Sequence, residues 1–269
     1  MKLIAVDLDG TLLTSTNKIS DFTRDTLIEA SKACHKVVII TGRDFYASKY
    51  LGDELEFEKY DGLIASSNGA NVFAPKENRS IINHQINPYL AKEMMAFGKS
   101  LGFDVLIYHK GEILAEKKNA YSLDFLAKKN RMGYRICENL TRSLNFPVNK
   151  VLFTALPQTI EKNKEIFAQK FGQVVNLIHA MPQFLDCMPK GINKGRAIGE
   201  IADYFGIDQK DTYAFGDEIN DLEMIEKAGV GVAMGNATKS LKEISDQVTL
   251  SNDEDGIAHF VRKNIVKEK

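Results

Sequence analysis

Six short apolar runs, each ending abruptly in a polar or glycine-bearing cluster, constrain this chain more than any other feature. Leu3-Ile4-Ala5-Val6 stops at Asp7, Val37-Val38-Ile39-Ile40 at Thr41-Gly42-Arg43, and Leu63-Ile64-Ala65 at Ser66-Ser67-Asn68-Gly69. Far downstream, Tyr213-Ala214-Phe215 stops at Gly216-Asp217, the run from Val230 to Met234 at Gly235-Asn236, and Val248-Thr249-Leu250 at Ser251-Asn252-Asp253. Runs that are apolar throughout suit strands of a parallel sheet covered on both faces. Helical patterns lie between them. The clearest runs from Lys194 to Phe205, with Ala197, Ile198, Ile201, Ala202 and Phe205 at helical spacing, Asn193 as N-cap and Gly206 at the left-handed position after the end. Ser20 caps a weaker pattern carrying Phe22, Leu27 and Ala30. Such strand, helix, strand connections predict an α/β fold with a doubly wound, mostly parallel Rossmann-like core sheet. Ligands bind beyond the carboxyl ends of strands in such sheets, so the six polar clusters are expected to face one crevice.

Between Asn68-Gly69 and Lys194 the chain is much longer than the roughly 30 residues one crossover unit takes. This predicts an inserted α+β cap domain of residues 84–186 between core segments 1–83 and 187–269. Its expected elements are a helix near Tyr89 to Leu101, a hairpin of Val105 to Tyr108 and Glu112 to Ala115 around Lys110-Gly111, a helix from Ile160 to Phe171 stopped by Gly172, and strands at Val174 to Ile178 and Phe184 to Cys187.

Charge narrows the partners. Lys plus Arg is 35 against 36 for Asp plus Glu, with no long run of one sign, so neither a nucleic-acid track nor an anionic-membrane patch is expected. Cys34, Cys137 and Cys187 are odd in number and far apart, which suits a reducing compartment better than a disulfide framework or zinc site. The apolar run after Lys2 is too short for a signal peptide or membrane span, and a cytoplasmic location is the expectation. His35, His84, His109, His179 and His259 are scattered, without metal or triad spacing.

Asp7 and Asp9 stand where the first strand turns out of the sheet. Asp-Gly on its own reads as a plain turn. Two carboxylates at a strand end repel each other unless a cation stands between them, however, and Asp217, at another strand end, offers a third oxygen ligand for a hard ion such as Mg²⁺. Asp221 is four residues further on. Thr41-Gly42 offers a hydroxyl and a backbone N–H to an anion, or a simple N-cap. Lys194 opens its helix against the helix dipole, which an anion in front of it would relieve, although taken alone a lysine at a helix start is more often a solvated surface charge. Gly235-Asn236 reads as a crevice contact or as a turn. Together the parts form a set: a carboxylate nucleophile, a second carboxylate to shuttle a proton, metal-binding acids, and donors for phosphate oxygens.

These residues resemble the haloacid dehalogenase superfamily of phosphohydrolases. The matching pieces are Asp7-Leu8-Asp9-Gly10-Thr11-Leu12-Leu13, Thr41-Gly42-Arg43, Lys194-Gly195 and Gly216-Asp217-Glu218-Ile219-Asn220-Asp221. Ser67-Asn68-Gly69-Ala70, the insertion, Met234-Gly235-Asn236-Ala237 and Asp255-Gly256 are similar to its Cof-type subfamily, which carries the larger class IIB α+β cap. The resemblance implies a Mg²⁺-dependent phosphatase of small phosphorylated metabolites working through an aspartyl-phosphate. Asp7 would be the nucleophile and Asp9 the acid and base. Mg²⁺ would bind the Asp7 carboxylate, the Asp9 carbonyl and Asp217, with Asp221 close by. Thr41, Gly42 and Lys194 would hold phosphoryl oxygens, Asn220 would position substrate or nucleophile, and Arg43 would contact substrate or pair with an acid. The family pattern departs at Cys34-His35, where glycine is frequent, and at Asp186, where glutamate is frequent. Two other readings of the set are a phosphosugar mutase, distinguishable by its isomerised product, and a non-catalytic phospho-ligand sensor, distinguishable by absence of turnover.

Overall fold

The computed structural model describes residues 1–179 and 181–266. In chain order the strands are β1 (Leu3–Val6), β2 (Lys36–Ile40), β3 (Leu63–Ser66), β4 (Asn71–Ala74), β5 (Arg79–Asn83), β6 (Asp104–His109), β7 (Glu112–Ala115), β8 (Gly133–Ile136), β9 (Val151–Thr154), β10 (Val175–Ile178), β11 (Phe184–Pro189), β12 (Thr212–Gly216), β13 (Val230–Ala233) and β14 (Gln247–Val248). They form two sheets in two compact units. The first unit comprises Met1–Gly42, Ser48–Ile82 and the chain from Asn193 onward; the second comprises Arg43–Ala47 and Asn83–Ile192.

In the first unit an eight-stranded sheet has the order β14-β13-β12-β1-β2-β3-β4-β5. The α/β fold class expected from the apolar runs is what forms, with β14 to β3 parallel and a β3–β4 antiparallel turn at the other edge. β1, β2, β3 and β12 are buried almost end to end, as continuous apolar runs require. Register aligns their ends: Val6 lies opposite both Phe215 and Ile39, and Ile40 opposite Ala65. Asp7, Thr41 and Asp217 therefore all leave the sheet at one edge. The helix Lys194–Phe205 starts as its sequence predicts, with Asn193 Oδ1 accepting from Arg196 N–H at 2.7 Å, and stops at Gly206 with φ +64°. Ser20 caps Asp21–Lys32 through Thr23 N–H at 3.0 Å. At the end of that helix Cys34 has φ +66°, the backbone geometry that glycine adopts most freely.

The second unit holds a six-stranded sheet, β10-β11-β9-β6-β7-β8, antiparallel except for β7 and β8. One face packs Val105, Ile107, Val151 and Phe153 against Met94 and Met95 of Pro88–Ser100 and Phe167 and Phe171 of Pro157–Phe171. Removing such side chains from water contributes roughly 1.5–3 kcal/mol each. The opposite face packs Leu106, Ile113 and Leu152 with Leu123 and Leu126 of Leu123–Asn130. The hairpin turns at Lys110 and Gly111, both with positive φ. The units divide at Ile82/Asn83, within one residue of the boundary expected at 83, and at Ile192/Asn193 rather than at 186. β11 continues to Pro189, where Met188 and Pro189 still pair with Asn176 and Val175, so the unit runs on to Ile192. The short segment Arg43–Ala47 also belongs to it, with Ala47 packed in its second core. Among the described residues no helix is long and apolar enough to cross a membrane.

Candidate active site

Asp7 is the first residue beyond β1, and its N–H donates to the Phe215 carbonyl at 3.1 Å. The chain then doubles back. Leu12 N–H reaches the Asp7 carbonyl at 3.1 Å, Leu13 N–H reaches the Leu8 carbonyl at 2.9 Å, and Gly10 takes φ +80°. A Cβ at Gly10 would collide with the Asp217 carboxylate, so both the left-handed backbone and the close approach demand glycine. Thr11 Oγ1 donates to Asp217 Oδ1 at 2.8 Å and locks the turn onto that acid. Asp9, between these anchors, is exposed to solvent.

Asp221 closes the turn Ile219–Asp221 that follows β12. Its Oδ2 accepts from Asp217 N–H at 3.0 Å and Glu218 N–H at 3.1 Å, and its Oδ1 accepts from Lys194 at 2.5 Å. Both oxygens of Asp221 are thus engaged inside the protein. Lys194 is 1% exposed and donates a second bond from Nζ to Asp7 Oδ1 at 2.6 Å. Its place in the first turn of a helix opposes the dipole, and the two carboxylates offset that. It is an ion-paired interior group rather than a surface charge.

One oxygen each from Asp7, Asp217 and Asp221 lies within 4.8 Å of the others, and all three residues are buried. Burial pushes the Asp7 carboxyl up to about 8 against the pull of Lys194, with Asp221 and Asp217 adding to the rise. Burial also raises Asp217 to about 6, against the Thr11 hydrogen bond and with the help of Asp221 and Glu218. Burial alone would lower Lys194, but Asp221 and Asp7 hold it above its ordinary value. One ammonium among three carboxylates leaves negative charge uncompensated. Clustered hard oxygens with a charge deficit are the donor set of a divalent cation such as Mg²⁺, and the residues present fit such an ion.

Of the residues singled out from sequence, the structure therefore gathers Asp7, Asp217, Asp221 and Lys194. Asp9 contributes no carboxylate to the trio; the expectation for it as a ligand involves its backbone carbonyl. Thr41 is buried at the end of β2, with its N–H on the Ala65 carbonyl at 2.8 Å and its own carbonyl accepting from Asn68 N–H at 2.7 Å. Gly42 follows with the Asn68 amide against it. Asn220 is half-buried in the turn that Asp221 closes. Arg43 is grouped with the second unit. Asp186, in that unit, pairs with Lys150 at 3.2 Å.

Sequence alone leaves Asn236 between two readings and assigns nothing to Asn252. Asn236 Nδ2 donates to the Gly10 carbonyl at 2.8 Å, Asn252 N–H donates to Asn236 Oδ1 at 3.1 Å, and Asn252 Nδ2 donates to the Leu13 carbonyl at 2.8 Å. The pair clasps the loop that carries Asp7 and Asp9. Their positions in polar clusters after strands are the available signal; their partners are not legible there.

A family model described as haloacid dehalogenase-like hydrolase matches residues 4–261. The 5-amino-6-(5-phospho-D-ribitylamino)uracil phosphatase YitU of Bacillus subtilis (strain 168) is 30% identical over 273 residues, spanning 97% of this chain and 96% of that protein. A haloacid dehalogenase-like hydrolase from Bacteroides thetaiotaomicron superposes with a TM-score of 0.91 at 30% identity, over 97% of this chain and 98% of that one. The HAD subclass IIB sugar phosphatase BT4131 does so with a TM-score of 0.79 at 25% identity, over 97% and 98% of the two chains.

Proposed function

The chain belongs to the haloacid dehalogenase-like hydrolases, in their Cof-type class IIB branch, and is a phosphoric monoester hydrolase; from that premise we propose that it hydrolyses small phosphomonoesters of the sugar-phosphate kind through a phosphorylated Asp7. The observation that carries the reading is Lys194, a buried ammonium bonded at 2.6 Å to Asp7 and at 2.5 Å to Asp221 within a trio of carboxylates.

A phosphoryl group carrying up to two negative charges repels an approaching carboxylate. Lys194 reduces that repulsion and holds Asp7 in place as it attacks phosphorus. The ester P–O bond breaks as the Asp7–phosphorus bond forms, and Asp9 gives its proton to the departing alcohol oxygen. Water then attacks phosphorus, Asp9 takes its proton, and Asp7 is released with inorganic phosphate. The solvent-exposed position of Asp9 suits a group that exchanges protons with substrate and water. Thr41 and Gly42 hold phosphoryl oxygens with Lys194, Asn220 orients the group, and Arg43 contacts substrate or pairs with an acid. Mg²⁺, held by Asp7, Asp217 and the Asp9 carbonyl with Asp221 behind, would supply the positive charge that the carboxylates lack and would draw Asp7 into its ionised form.

The test is phosphate release from a panel of phosphomonoesters with Mg²⁺ and with EDTA, using Asp7→Asn as control. Turnover is expected with Mg²⁺ only, and the Asp7→Asn protein, whose amide has the shape without the nucleophile, should lose at least roughly 10³-fold in kcat. An Asp7→Asn protein with the wild-type rate rejects the mechanism. Isomerised phosphosugar with little free phosphate would transfer the assignment to a mutase.

A further inference from the structure

The turn Ser67–Gly69 holds a buried polar side chain for which the chemistry above has no use. Asn68 is 4% exposed, and its Oδ1 is buried with no hydrogen-bond partner among the described residues. Removing an amide oxygen from water without giving it a donor is unfavourable, so such a group is seldom left without a purpose. The backbone around it is equally uncommon: Ser67, Asn68 and Gly69 all have positive φ, at +49°, +52° and +92°.

The surroundings say where this amide belongs. Asn68 N–H is fixed to the Thr41 carbonyl at 2.7 Å. A Cβ on Gly69 would strike Ala197, so the turn is also pressed against the helix that Lys194 opens. The turn thus sits between the strand end bearing Thr41 and Gly42 and the helix bearing Lys194. Its side chain lies alongside Gly42, where a Cβ would be 3.2 Å from Asn68 Oδ1 and 3.7 Å from Nδ2. A side chain at position 42 would crowd the amide on that flank.

We propose that Asn68 is a further ligand-contact residue, whose side-chain amide hydrogen-bonds the bound phosphoryl group beside Gly42. Nδ2 donates to a phosphoryl oxygen, and Oδ1 accepts from the hydroxyl of a protonated phosphate or from the water that accompanies it. A primary amide has both donors and an acceptor, and can turn end for end to meet either polarity. The inference rests on the reading of Thr41, Gly42 and Lys194 as phosphate donors and adds a fourth side to that cradle.

Two substitutions separate the amide from the backbone. Asn68→Gly removes the amide and keeps the left-handed conformation; Asn68→Asp keeps the shape and tolerates that conformation, but replaces donors by negative charge. Steady-state kinetics on the best phosphomonoester would be combined with competitive inhibition by inorganic phosphate and a thermal melt. Asn68→Gly is expected to weaken phosphate inhibition and raise KM by about tenfold or more, the loss expected for one hydrogen bond to a charged group. Asn68→Asp is expected to weaken both further, with a lower melting temperature from its buried charge. A purely conformational Asn68 predicts that Asn68→Gly leaves both constants unchanged, and that result would overturn the proposal. So would an Asn68→Asp protein that binds phosphate as tightly as wild type. If wild type releases phosphate and is inhibited by it while both variants behave identically, only this inference falls; a wild type that does neither removes the phosphatase reading as well.

Discussion

Lys194 shows how much one residue decides. Removing one partner from a buried ion pair strands the other charge and costs about 3–5 kcal/mol in typical cases. Lys194→Met should therefore lose activity and also, in metal-free buffer at pH 8, destabilise the protein by about that amount in urea denaturation; a variant as stable as wild type there would contradict the ion-pair geometry. Asp7 sets most of the pH dependence, with Asp217, raised to about 6, adding to it at lower pH. The Asp7 folded-state value of about 8 lies above the 3.8 of an unperturbed aspartate, so the folded protein binds the extra proton. That contribution is fully present below pH ~4 and disappears as pH rises through 8. Lys194, raised above 10.5, acts only in alkali beyond this window. Denaturation in EDTA should accordingly show stability falling from pH 5 to pH 8, and Asp7→Asn should flatten that slope. The acids and Lys194 are legible in the sequence because each follows an apolar run or opens a patterned helix. The roles of Asn68 and Asn236 are not, because their partners follow other strands: Asn236 bonds to Gly10, 226 positions away.

At the scale of elements, the site depends on how closely the helix Lys194–Phe205 packs on Leu222–Lys227. Gly195 permits that approach, since a Cβ there would overlap the Glu223 carbonyl oxygen. Gly195→Ala should force the helices apart, costing about 1–3 kcal/mol as overpacking does, and should lower kcat by shifting Lys194 from Asp221. Gly206→Ala, with open space around it, should cost only about 1 kcal/mol for its left-handed backbone and leave kcat alone. Equal effects of the two on kcat would show that helix spacing does not control the site. Most elements that announce themselves in the sequence have continuous apolar runs or clear caps, whereas the run Val248-Thr249-Leu250 contributes only Val248 to the short, exposed strand β14. β8, Gly133–Ile136, does not announce itself, because it is short and mostly exposed at a sheet edge. Neither do β4 and β5, a short edge pair of which β5 has no fully buried residue.

For the whole molecule, an ion that binds only the folded carboxylate cluster must stabilise the fold, by about 2.7 kcal/mol at a concentration one hundred times its Kd. Mg²⁺ should raise the melting temperature at pH 8 and do so less at pH 5, where protons compete for Asp7 and Asp217. Calorimetry with and without EDTA checks this, and a melting temperature indifferent to Mg²⁺ at both pH values would argue against a resident cation. The existence and the beginning of the insertion are legible from chain length and pattern, whereas its far end and the extra segment are not. A strand that continues to Pro189 has no compositional break at 186, and nothing in Arg43–Ala47 marks it as the second unit's.

The central place of β1 between β2 and β12 also has a consequence in time. At a translation speed of about 5–20 residues per second, β1 and Asp7 leave the ribosome some ten to forty seconds before β12 is made. Throughout that interval one side of β1 lacks its permanent neighbour, so the core sheet cannot close until β12 has been made.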